Sequence, residues 1–97
     1  MRRPFREVYA EQDAEGLARL MEYREFVYAE GALSPKQKAL MSVFADLLLG
    51  HPEGAKAILK ANAVLGITKD EVKELVRLAT FFGGIPTFVA GAALLEE

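Results

Sequence analysis

The chain has 97 residues, 52% of them apolar, with a net charge of -2, one histidine and no cysteine. That length makes one small domain, and the cysteine count excludes disulfides, thiolate nucleophiles and cysteine metal sites. A lone histidine leaves too few nitrogen ligands for an intrachain zinc site, so neither metal nor cofactor is expected.

The start, MRRPFREVYAEQDAE, carries basic residues but no following apolar stretch, so it does not read as a signal peptide. Residues 1–12 are expected to form an extended arm or a short helix. After the Gln12-Asp13 entry, Leu17, Leu20, Met21, Arg24, Val27 and Tyr28 recur at helical spacing, and Gly31 supplies a stop. Ser34 followed by Pro35 is a helix start, with a hydroxyl cap and a proline in the first turn. The segment LSPKQKALMSVFADLLLG then runs to Gly50. His51 and Pro52 open the next helix, whose inner stripe includes Ala55, Ile58, Leu59 and Asn62, ending near Gly66. Thr68 and Glu71 stand at capping-box spacing, with acidic residues in the first turn. Val72, Leu75, Val76, Ala79 and Phe82 form the stripe that follows, and Gly83-Gly84 breaks it. A last helix, PTFVAGAALLEE, is apolar on nearly every side. No strand pattern competes, so the fold class is all-α, a bundle of about five helices.

From Gly31 onward the pieces GALSPKQKALMSVFADLLLG and AKAILKANAVLGITKDEVKELVRLATFFGGIPTFVAGAAL resemble the carboxymuconolactone decarboxylase family, which includes the alkylhydroperoxidase D-like proteins. The order and spacing of the Gly-x-Leu-Ser, Gly-x-Thr-x-x-Glu and aromatic-Gly-Gly-x-Pro elements carry the resemblance, over roughly two-thirds of the chain. It implies an alkylhydroperoxidase-D-like bundle that assembles as a homotrimer or homohexamer. It also implies a redox pair that this chain lacks. The two cysteine positions of peroxidase members fall on His51 and Gly54, the relay histidine on Ile58 and the upstream glutamate on Ala39. Thiol-dependent peroxide reduction needs a thiolate to attack and a second thiol to resolve, and the chain offers neither.

The remaining chemical candidates are few. His51 sits at a helix N-terminus, which disfavours imidazolium and suits a proton-accepting ring. The plainer reading is a residue that tolerates the extended backbone before Pro52. Asp46 interrupts an apolar run and shares a helical face with Lys38 and Ser42. It is either a group that orients something in a pocket or part of a solvated or interfacial stripe. Asn62 is a ligand-binding amide or a cap. Phe81 and Phe82 line a pocket or simply pack.

The functional expectation is therefore a cysteine-free member that binds a small, partly apolar molecule or serves as an assembly module. The alternatives are a cofactor-free acid–base lyase using His51, and a pure interaction subunit. A near-neutral charge gives no reason to expect nucleic acid, and no apolar run reaches the roughly 20 residues of a membrane span. The expected location is cytoplasmic. Plentiful Glu, Lys and Arg with scarce Asn and Gln fit a thermophilic source.

Overall fold

The computed structural model describes residues 3–96; the arginine at position 2 and the glutamate at 97, which belong to the expected arm and last helix, lie outside the described residues. Among those described there are six α-helices and no strand. They are α1 (Phe5–Gln12), α2 (Ala14–Tyr28), α3 (Pro35–Leu48), α4 (Pro52–Ala61), α5 (Lys69–Gly83) and α6 (Ile85–Leu95). A single 3₁₀ turn, Ala63–Leu65, follows α4. The chain divides into two compact units, one through Gly31 and the other from Ala32.

In the first unit the short-helix form of the arm is the one adopted. Arg3 forks onto Glu11, with Nη2 2.6 Å from Oε1 and Nη1 3.1 Å from Oε2, across an exposed surface. Such pairs contribute little in open solvent. Asp13 then ends α1 and caps α2, accepting a hydrogen bond from the Gly16 N–H at 3.0 Å. The two helices pack on each other, yet neither contains a buried residue.

The second unit holds the core. Ser34 caps α3 by accepting from the Gln37 N–H at 3.0 Å, while Gln37 Oε1 accepts from the Ser34 N–H at 2.7 Å. That completes a capping box on top of the expected Ser-Pro start. Ala39, Val43 and Leu47, each four apart, form the buried stripe of α3. Around it pack Ala55 of α4, Val72, Leu75, Val76 and Ala79 of α5, and Leu94 of α6. Burying one such Val or Leu side chain contributes about 1.5–3 kcal/mol.

Glycines end the helices where the backbone must turn left-handed: φ is +82° at Gly50, +71° at Gly66 and +82° at Gly84. α4 stops at Ala61 rather than running to Gly66, because Asn62 leaves helical geometry and the next three residues tighten into the 3₁₀ turn. The stripe of α5 ends at Ala79: Phe82, expected on it, is 65% exposed in the last turn. Gly83 stays helical and serves packing, since a Cβ there would run into the Thr87 side chain and come 2.8 Å from Leu48 Cδ1.

α6 is less uniform than its composition. Thr87, Gly91 and Leu94 face inward and are buried, so Leu94 is core within a single copy. Gly91 lets α5 come close: a Cβ there would meet Val76 Cγ1 at 2.6 Å. Gly91→Ala should therefore destabilise the fold by about 1–3 kcal/mol through overpacking. In a double-mutant cycle with Val76→Ala, which opens the same space, the combined loss should be smaller than the sum of the two. Urea melts of the four proteins check this.

Candidate functional site

Two surfaces of the second unit hold the candidate features: a corner between α3 and α4, and a groove between α3 and α5. The first is the α3–α4 corner. Leu49 closes α3, its N–H donating to Ala45 O at 2.9 Å, and Gly50 turns the chain. The His51 N–H then reaches back to Asp46 O at 2.8 Å. His51 is the N-cap residue of α4 with φ -117° and ψ 64°, and its side chain makes no capping bond. It is free instead to face Asp46: Nδ1 stands 3.7 Å from Asp46 Oδ1. The ring is 64% exposed and the carboxylate 30%.

The Asp46 carboxylate also lies over the first turn of α4. A Cβ added at Gly54 would come within 2.5 Å of Oδ2 and 3.2 Å of Cγ. An anion at that place is favoured by the helix dipole. Along the polar stripe of α3, the Ser42 hydroxyl donates to Lys38 O at 2.8 Å.

The second surface is a groove between α3 and α5 of about 560 Å³. Leu40, Met41, Phe44, Ala45, Leu75 and Leu78 line it, with Glu71 as its charged residue. Met41 and Leu78 remain 57% and 56% exposed, so the trough is open to solvent. Glu71 is held by its own cap. Its Oε1 accepts from the Thr68 N–H at 2.8 Å, and Oε2 stands 3.0 Å from Lys36 Nζ. The backbone hydrogen bond from Thr68 first, and Lys36 second, draw its carboxyl below the usual glutamate range.

The five residues singled out in the sequence distribute unevenly. Asp46 and His51 come together at the corner. Asn62 lies at the far end of α4 as its C-cap, its side-chain amide donating to Ile58 O at 2.8 Å. Phe81 is 83% exposed. Phe82 stacks edge-on against Phe81 at 5.3 Å and against the groove residue Phe44 at 6.2 Å. None of the five lines the groove itself. Of its lining residues the sequence marked only Leu75, as part of the α5 stripe, and Glu71, as a cap; Leu40, Met41, Phe44 and Leu78 went unnoticed, although their i, i+3 and i+4 spacings fit two facing stripes.

A buried three-residue stripe on α3, a capped α5 packed through Gly91, and a tight α3–α4 corner define an all-helical bundle with a small-molecule-sized groove and a histidine at its turn. The chain belongs to the Carboxymuconolactone decarboxylase family, whose family model matches residues 14–97. The match begins at the first residue of α2, earlier than the motifs alone reach. The chain is similar to a 4-carboxymuconolactone decarboxylase of Acinetobacter baylyi (strain ATCC 33305 / BD413 / ADP1), 30% identical over 71 residues, covering 73% of this chain and 53% of that protein. The chain thus spans about half the length of the curated relative it matches. No solved structure matches. Among the described residues no helix is long and apolar enough to cross a membrane.

The Glu71 arrangement sets a pH response. A carboxyl whose folded value lies below its unfolded one binds fewer protons when folded, so its stabilisation is full above the unfolded value and is lost as pH falls through the folded one. Glu71→Gln, which keeps an accepting oxygen for the Thr68 N–H but loses the charge facing Lys36, should flatten part of the acid-side fall in stability. Denaturant melts at stepped acidic pH, wild type beside the variant, read this directly.

Proposed function

We propose that the protein is a cysteine-free binding module, without thiol peroxidase activity, that holds a small, partly apolar molecule in the α3–α5 groove. The observation that carries this reading is the groove itself: its volume falls within the range of small-molecule sites, and its lining is apolar with one anchored carboxylate. The fluorescent probe 1-anilinonaphthalene-8-sulfonate should bind saturably. Leu78→Glu, a change at a half-exposed position, should weaken that binding by about tenfold, the effect of setting a charge against an apolar ligand. Equal probe affinity in both proteins would remove the groove from consideration.

The assembly expected is a homotrimer or homohexamer, and the α5–α6 corner supports it. Phe81, Phe82, Ile85, Phe88 and Val89 are each at least 59% exposed there. The three phenylalanines alone present about 400 Å², half of the roughly 800 Å² per partner in a stable interface. With Leu94 buried inside the copy, the intersubunit contact rests on Ile85, Phe88 and Val89 rather than on the whole of α6. Light scattering on a size-exclusion column should give a multiple of the 10.7 kDa chain mass, and Phe88→Glu should lower it. A monomer peak for the unaltered protein would refute the assembly.

A second reading, a cofactor-free acid–base lyase, is favoured by one observation: the Asp46–His51 approach at the corner. The relative's name, a decarboxylase, supports the same class of chemistry. In this reading His51 moves the proton, and loss of turnover in a folded His51→Ala protein is its test.

A further inference from the structure

We propose that Asp46 positions His51 as a directional proton acceptor, and that Gly54 makes the arrangement sterically open. This inference rests on the acid–base reading of the corner.

Three observations converge. His51 Nδ1 faces Asp46 Oδ1 at 3.7 Å, within ion-pair reach and about half an ångström beyond a hydrogen bond. Two bonds lock the turn between them: Leu49 N–H to Ala45 O at 2.9 Å and His51 N–H to Asp46 O at 2.8 Å. Finally, Asp46 Oδ2 occupies the space that a side chain at position 54 would fill. Any residue other than glycine there pushes the carboxylate aside. The cost falls on the far end of a flexible side chain rather than on the fold.

With Nδ1–H donated to Asp46, the ring is held in one tautomer, and the Nε2 lone pair points away from the carboxylate. The substrate class that fits is a small molecule with an acidic C–H or O–H. Its proton passes to Nε2 and its bonding electron pair stays on the substrate. The imidazolium that forms carries its positive charge beside Asp46, which stabilises it without itself taking the proton. Asp46 and Gly54 are positioning residues, acting through His51.

Because the chain has one histidine, a long-range ¹H–¹⁵N correlation spectrum reports this ring alone. In a buffer alkaline enough to keep it neutral, and with no substrate present, the wild-type ring should hold more of the Nδ1–H tautomer than free histidine does. Asp46→Ala should shift the tautomer ratio toward Nε2–H by about threefold, the size an exposed charge pair supports. Gly54→Ala should shift it the same way with an unchanged helical circular dichroism spectrum. A wild-type ratio equal to that of free histidine, or a ratio indifferent to either substitution, overturns the proposal. The parent reading fails separately: a tautomer shift as expected, with no His51-dependent proton exchange into a lactone or carboxylic acid probe, removes the lyase and leaves the positioned ring standing.

Discussion

Everything in the second unit is built around one stripe of α3. Val43 and Leu47 are 0% and 1% exposed, and α4, α5 and α6 all pack on this helix. A helix surrounded on that face has its rotation fixed. The fixed rotation in turn decides what the neighbouring faces present. Leu40, Met41 and Phe44, on one side of the stripe, become a wall of the groove. Asp46, one residue before Leu47, is turned to the corner where the chain reverses. Groove and corner are thus two outputs of one packing decision, and a change in the size of Val43 or Leu47 would disturb both together.

The order in which the chain reveals itself follows from which forces are local. Caps are local, so Ser34, Thr68 and Glu71 could be read directly, and Gly50, Gly66 and Gly84 mark turns because only glycine adopts their backbone angles without strain. The buried stripe of α5 was legible from its helical spacing up to Ala79, beyond which Phe82 turns outward. The end of α4 was not, because the choice between helix and 3₁₀ turn at Asn62 depends on a side-chain cap that competes with the helix itself. Nor was the division of α6, where composition alone makes every face look alike. Contact with Val76 selects Gly91 for the inside, and with it Thr87 and Leu94.

The candidate site shows the same limit more sharply. His51 and Asp46 were each recognisable as out of place, yet five residues of separation across a turn do not say whether two side chains meet. Gly50 in its left-handed conformation and the return bond from His51 to Asp46 O bring them together. Gly54 was marked only as the place of a missing cysteine; its steric role gave no signal, since what matters there is an absent atom. Asn62 and Phe81, equally conspicuous in the sequence, were drawn elsewhere by an amide cap and by an outward-facing last turn.

The contrast between the two units has a consequence for how the molecule breathes. α1 and α2 contain no buried residue, whereas the second unit has a contiguous core that joins four helices. Local opening costs free energy in proportion to the apolar contact it breaks. In an isolated copy the amides of α1 and α2 should therefore exchange with solvent faster than those around Val43, Leu47 and Val76.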